Sequence, residues 1–324
     1  MKQFTINEND AGQRLDKYLS KSIPLLPQAL LYKYIRLKRV KVNGGRAAQG
    51  QKLHRGDRVE LYINDEFFET AQDSAYKVLR PSFDIVYEDA HILLIDKKQG
   101  VLVHEDETGA PDTLINQIKA HLYRTGQWDE GRERSFAPAL CNRIDRNTSG
   151  MVIAAKTAAA LRILNQKIKD REIDKYYLCL CFGTFMQKKG TLKHYISRDL
   201  QNKQVTVHDK PVRGALTAET EWKLLKSKDG LSLLQCRLLT GRTHQIRAQL
   251  AHIGHPVCGD TKYGTARQNA GLPFRHQALH AYKLTFAFKT DAGELAYLAG
   301  KTFETREAPF LEYFETEMGT RAGR

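Results

Sequence analysis

Long apolar runs are missing from this 324-residue chain. Nowhere do the roughly 18 uninterrupted apolar residues of a membrane-spanning helix occur, and Met1 to Asp10 is polar where a secretory signal would carry an apolar core. A cytoplasmic protein with no membrane partner is expected. Cysteine is scarce: Cys141, Cys179, Cys181, Cys236 and Cys258 are odd in number and form no C-x-x-C pair, so a disulfide framework is excluded and reduced core thiols are expected. No zinc-type spacing surrounds His244, His252 and His255, so no metal is expected either. Acid is the other shortage. There are 37 Asp and Glu against 51 Lys and Arg, a formal charge of +14, which favours a polyanionic partner. What is present, 41% hydrophobic and 27% charged residues, is ordinary globular usage and excludes a disordered or fibrous chain.

The positive charge is concentrated. Met1 to Asn64 holds 13 Lys and Arg against 5 Asp and Glu, and Asp65, Glu66, Glu69 and Asp73 then follow with no base among them. That shift, closed by Pro81, reads as a linker over 65–82 between a first domain at 1–64 and a second at 83–324. In the first, Arg14 to Ser20 and Gln28 to Leu37 have apolar residues at helical spacing, while Val40 to Val42 and Val59 to Ile63 alternate as strands. Lys33, Arg36, Lys38, Arg39 and Lys41 bunch near one turn, where phosphates could meet several at once. The stretch Ala11-Gly12-Gln13-Arg14-Leu15-Asp16-Lys17-Tyr18-Leu19, the basic helix end, Val40-Lys41-Val42-Asn43 and Gly56-Asp57 together resemble an S4-type RNA-binding domain.

The second segment mixes strand candidates (His91 to Asp96, Met151 to Ala155, Tyr176 to Phe182, Ser232 to Leu239, Tyr282 to Phe288) with helix candidates (Thr113 to Leu122, Ala158 to Ile168). Strict strand-helix alternation is lacking, so an α+β domain is expected, a mixed and largely antiparallel sheet flanked by helices. Phe310, Leu311, Phe314 and Met318 are spaced as a closing helix.

Two polar clusters stand out. Asn142-Arg143-Ile144-Asp145-Arg146-Asn147-Thr148-Ser149-Gly150 runs straight into an apolar strand, a good mounting for reactive groups, with arginines near Asp145 favouring its carboxylate. Gly241-Arg242-Thr243-His244-Gln245-Ile246-Arg247 suits a turn into a helix whose N-terminus would attract a phosphate. Read alone, each could be structural. Together, in this order, they resemble the R-L-D-x-x-T-S-G and G-R-T-H-Q-I-R signatures of the RluA family of pseudouridine synthases. Lys97, Gly100, Lys175-x-Tyr177, Gly183, Gly259-Asp260 and Tyr263-Gly264 add supporting matches, and Asn142, Ile144, Asn147, Gln249 and Lys98-Gln99 are departures.

The resemblance implies an enzyme that isomerises selected uridines of structured RNA without a cofactor. It implies Asp145 as the catalytic residue, Tyr177 as the tyrosine against the target base and Arg247 as the arginine paired with Asp145. Arg143, Arg146, Arg242 and His244 are candidate RNA-binding groups. Large-subunit ribosomal RNA is the expected substrate, because an S4-like domain accompanies the branch typified by large-subunit synthases C and D; tRNA is the alternative. A non-catalytic RNA-binding assembly factor is the competing class, and a monomer is expected.

Overall fold

The computed structural model describes residues 1–68, 74–105, 107, 109–199, 204–306 and 308–316. The chain divides into two compact units, one comprising Met1–Pro81, Ile115–Ala139 and Ala155–Arg162, the other Ser82–Leu114, Leu140–Ala154 and Ile163–Arg324.

The first unit opens with β1 (Lys2–Thr5), α1 (Leu15–Ser22), α2 (Gln28–Arg36), β2 (Val40–Val42), β3 (Gly45–Arg46) and β4 (Arg58–Leu61), the strands ordered β1-β4-β2-β3. Helical spacing puts Leu15, Tyr18 and Leu19 of α1 and Leu31, Tyr34 and Ile35 of α2 into one core with Val40, Val42, Val59 and Leu61. Pro27 precedes α2, where a missing N–H costs nothing. Its far end closes as a Schellman motif: Arg39 N–H donates to Tyr34 O and Lys38 N–H to Ile35 O, with Lys38 left-handed at φ 59°. Glycine is the usual occupant of that position, so a lysine there is held at a conformational cost. Asn43 and Gly44, both at positive φ, turn β2 into β3. The same unit includes the 132–135 loop, where Asp10 accepts from Ser135, Asn9 Nδ2 donates to Glu133 Oε2 (2.7 Å) and the Arg134 guanidinium lies 4.2 Å over the Phe4 ring.

Further elements follow in chain order: β5 (Asp84–Glu88), β6 (Ile92–Lys97), α3 (Leu114–Arg124), β7 (Ala139–Leu140), β8 (Ser149–Ala155), α4 (Ala158–Lys169), β9 (Ile173–Phe182), β10 (Lys189–Asp199), β11 (Gln204–His208), β12 (Leu216–Lys228), β13 (Leu231–Leu238), α5 (Gln245–His252), α6 (Ala266–Asn269), β14 (Leu279–Phe286), β15 (Thr302–Glu304) and α7 (Leu311–Thr316). The sheet runs β11-β10-β12-β13-β9-β14-β8-β6-β5, with β15 on β14 and β7 on β8. Pairing is antiparallel between β5 and β6, β9 and β14, β9 and β13, β12 and β13, β10 and β12, and β10 and β11, and parallel between β8 and β14, so the expected α+β, largely antiparallel architecture holds.

Local expectations fail where burial overrides pattern. The last long strand starts at Leu279, three residues before the alternation expected from Tyr282, because Leu279 to Ala281 pair with β9 and, through His280 and Ala281, with β8. That close approach explains Gly150: at φ 112°, a Cβ there would lie 2.4 Å from the Ala281 carbonyl oxygen. Met318, expected in the closing helix, lies outside the described residues. None of the five cysteines is in a disulfide among the described residues, and Cys179, Cys181, Cys236 and Cys258 are buried in the sheet region.

Candidate active site

The first cluster forms the loop ahead of β8, pinned from several sides. Lys97, at the end of β6 and fully buried, spends its ammonium on three carbonyl oxygens: Lys98 (2.9 Å), Val101 (3.1 Å) and Arg146 (2.9 Å). Gly100 N–H also donates to Arg146 O, and Arg146 Nε donates back to Gly100 O at 3.0 Å. Thr148 N–H closes on Asp145 O, and Gln277 Nε2 donates to Thr148 Oγ1. Ser149 Oγ lies 2.8 Å from His280 Nδ1, whose Nε2 lies 2.7 Å from Thr305 Oγ1. The turn of Lys97-Lys98-Gln99-Gly100 is thus braced by hydrogen bonds.

The second cluster forms α5 and its approach. Arg247, 6% exposed, donates Nη1 to Asp145 Oδ2 (2.7 Å) while Nε and Nη2 grip Asp260 Oδ2 and Oδ1 (2.6 and 2.9 Å). The guanidinium therefore bridges two carboxylates, one bidentate and fully buried, the other partly open. Burial opposes the Arg247 charge, but Asp260 and then Asp145 outweigh it and hold its pKa above the ordinary value. Asp260 is pulled below the usual carboxylate range, since Arg247 and the backbone N–H groups of Lys262 and Tyr263 overcome the burial that would raise it. Arginines flanking Asp145 in sequence are not its partners: Arg143 is exposed and Arg146 is turned to Gly100. Arg247, 102 residues away, is the partner.

Tyr177 sits in β9, buried. Burial, and then the negative charge of Asp145, push its phenol above the ordinary range. Strand alternation turns its neighbour Tyr176 the other way, under the Lys283 ammonium at 4.8 Å. His244 precedes α5 with Nδ1 2.8 Å from Tyr263 Oη and Nε2 4.0 Å from Asp145 Oδ2. Arg242 is fixed through Nε to Thr217 O and through its backbone N–H to Gln245 Oε1. In the first unit Lys33, Arg36, Lys38 and Arg39 are exposed, Lys41 lies 5.2 Å over the Tyr62 ring, and Arg36 lines a ≈ 580 Å³ pocket with Tyr32, Arg46 and Gln49.

Sequence reasoning did not assign roles to Asp260, Tyr263 or Arg46. Asp260 carried a signal, a lone acid after glycine in the stretch behind the second cluster. Among the described residues, His194, Asp209 and His252 bring donor atoms within 4.8 Å of one another, a spacing a metal could use. Hydrogen bonding there opposes it. Gln249 Nε2, oriented by Thr220 Oγ1 donating to its Oε1 and by Ala218 O accepting at 3.0 Å, faces His194 Nδ1 at 3.1 Å. The ring hydrogen then lies on Nε2, which has no lone pair left for a metal.

A polar loop and a buried helix meet at one Asp-Arg-Asp bridge beside a buried tyrosine, with one carboxylate, Asp145, partly open and the other, Asp260, fully buried. A family model described as RNA pseudouridylate synthase matches residues 91–252, and an S4-domain model matches residues 13–59. The chain is 33% identical over 321 residues to an uncharacterised RNA pseudouridine synthase of Mycoplasma genitalium, covering 96% of this chain and 98% of that protein. It is 31% identical over 290 residues to ribosomal large subunit pseudouridine synthase D of Nitrosomonas europaea, covering 87% of this chain and 79% of that protein. The solved structure of human RNA pseudouridylate synthase domain containing 1 superposes with TM-score 0.55 at 25% identity, over 72% of this chain and 87% of that one. The chain belongs to the RNA pseudouridine synthase family, with an N-terminal S4 domain: it is an isomerase whose substrate is RNA.

Proposed function

We propose that this synthase modifies uridines of large-subunit ribosomal RNA, with Asp145 as the reacting carboxylate, Arg247 as its partner and Tyr177 against the target base. The observation that carries the site assignment is the Arg247 bridge, which presents Asp145 at the open side and anchors itself on buried Asp260. In the isomerisation the N1–C1′ bond breaks, the base turns and C5 bonds to C1′, while the proton lost from C5 is balanced by one gained at N1. No water is consumed, so a single carboxylate suffices and no cofactor is required. The target uridine leaves its stack at a cost of a few kcal/mol, which an aromatic platform such as Tyr177 offsets.

The domain assignment 1–64, 65–82 and 83–324 gives the RNA grip to Lys33, Arg36, Lys38, Arg39 and Lys41 of the first part and to Arg143, Arg146 and Arg242 around the site; His244, grouped with them from the sequence, is turned onto Tyr263 and Asp145 instead. A left-handed lysine at 38, where glycine would be unstrained, supports a role for its charge. Relatives named as large-subunit synthases C and D favour ribosomal over transfer RNA, and a monomer working in the cytoplasm fits that substrate. Pseudouridine mapping by carbodiimide labelling and primer extension, in cells lacking the protein and then supplied with wild type or Asp145→Ala, tests the reading. Large-subunit stops that vanish in the null and return only with wild type are expected. Stops lost from tRNA instead overturn the substrate, and stops restored by Asp145→Ala overturn the role of Asp145.

A further inference from the structure

His244 occupies an unusual place. It is a non-glycine residue in the left-handed region (φ 52°, ψ 22°) at the residue before α5, and no side chain caps that helix end. Its imidazole is instead turned inward, 13% exposed, edge-on to the Tyr263 ring. Backbone strain of this kind persists only where surroundings over-determine it. Here they do: Tyr263 Oη already accepts the Val205 N–H at 3.1 Å, so its own hydrogen is available for His244 Nδ1 at 2.8 Å. With Nδ1 accepting, the ring hydrogen lies on Nε2, and Nε2 lies 4.0 Å from Asp145 Oδ2. The opposite tautomer would set a lone pair against a carboxylate oxygen. Arg247 Nη1 approaches that same Oδ2, whereas Asp145 Oδ1 has no partner among the described residues.

The geometry points to His244 as a positioning residue: held as a neutral Nε2–H donor by Tyr263, it keeps Asp145 Oδ2 engaged together with Arg247 and leaves Oδ1 to meet the target nucleotide. This rests on the reading of Asp145 as the reacting carboxylate. The 4.0 Å separation is of the kind that tightens when substrate fills a site. Burial favours the neutral ring and lowers its pKa; Arg247 and Lys262 act in the same direction, while Asp145 and Asp260 oppose them. Tyr263 on the other side adds a donor that blocks protonation at Nδ1.

Three variants test this by single-turnover tritium release from RNA carrying 5-tritiated uridine, alongside RNA affinity and a pH profile. Asparagine tolerates the left-handed backbone, so His244→Asn separates side chain from backbone. It is expected to slow the chemical step about 10- to 100-fold with RNA affinity within twofold. Tyr263→Phe removes the donor at Nδ1 and lets the ring take a second proton beside Asp145, so the acid limb of the rate profile is expected to move. A wild-type rate in His244→Asn, or a loss seen only in RNA affinity, overturns the inference, as does an unmoved acid limb in Tyr263→Phe should His244→Asn fail to fold. Asp145→Asn is run in parallel: if it stays active, the reading of Asp145 falls, whereas an inactive Asp145→Asn beside a fully active His244→Asn overturns only the role of His244.

Discussion

Replacing Asp260 with asparagine tests the architecture of the site at its most buried point. The carboxylate is fully buried and accepts four hydrogen bonds, two from Arg247 and two from the backbone N–H groups of Lys262 and Tyr263. An amide keeps one oxygen and turns an NH2 toward a guanidinium, donor against donor. Breaking a buried pair by removing one partner costs about 3–5 kcal/mol, and at roughly 2–4 °C per kcal/mol for a domain of this size Tm should fall by about 6–20 °C. Function should fail by a different route. Without its fork on Asp260, Arg247 no longer holds Nη1 against Asp145, and a displacement on the order of 1 Å at a reacting group costs about 100-fold in rate. Thermal unfolding and single-turnover tritium release read the two effects separately. A variant with Tm within 2 °C of wild type and a rate within threefold would refute the claim that Asp260 sets the site through Arg247.

Four other expectations follow from particular side chains. Lys97→Met strips the donor from three carbonyl oxygens, at about 1–3 kcal/mol for each group left unsatisfied, and should slow turnover by loosening the Asp145 loop. Since burial draws the Lys97 ammonium down to about 8, against the opposing charges of Asp145 and Asp96, the wild-type rate should decline as pH rises through about 8; a flat profile to pH 10 counts against this. Burial draws His280 down to about 4, so the folded protein leaves it neutral while the unfolded chain binds a proton near pH 6.5. Stability is therefore complete above pH 6.5 and lost as pH falls toward 4, by about 3 kcal/mol, and denaturant titrations of His280→Gln should lack that slope. Reversing Lys38 and Arg39 to Glu should weaken RNA binding and flatten its log–log salt dependence by up to about 1.4–1.8, with unfolding little changed; an unaltered slope would remove both from the phosphate contacts.

The two signature clusters were legible because each is a dense local run of polar residues whose order is diagnostic. The N-terminal helices were legible because Leu15, Tyr18 and Leu19, and then Leu31, Tyr34 and Ile35, keep a clean helical period on a half-exposed element. Helix α5 shows no such period, since Gln245 to Leu250 are all buried, and it had to be inferred from its approach sequence. Strands β10 and β12 are poorly legible in the sequence because their outward faces carry Lys, Glu and Arg while only alternate residues such as Leu192, Ala218 and Trp222 are buried. Two arginines beside Asp145 in sequence suggested local charge pairing that the fold does not use.

Composition and motif order by themselves determined the class of partner, the family and the identity of the candidate residues, because charge and short signatures are properties of the chain alone. Tertiary structure decided which groups meet. It brought Arg247 across 102 residues to Asp145, added Asp260 as the buried anchor, set the hydrogen of His244 through Tyr263, and pinned the loop on Lys97. Those choices depend on distances of 2.6 to 4.0 Å between atoms on separate elements, which only the packing of the sheet against α5 can fix.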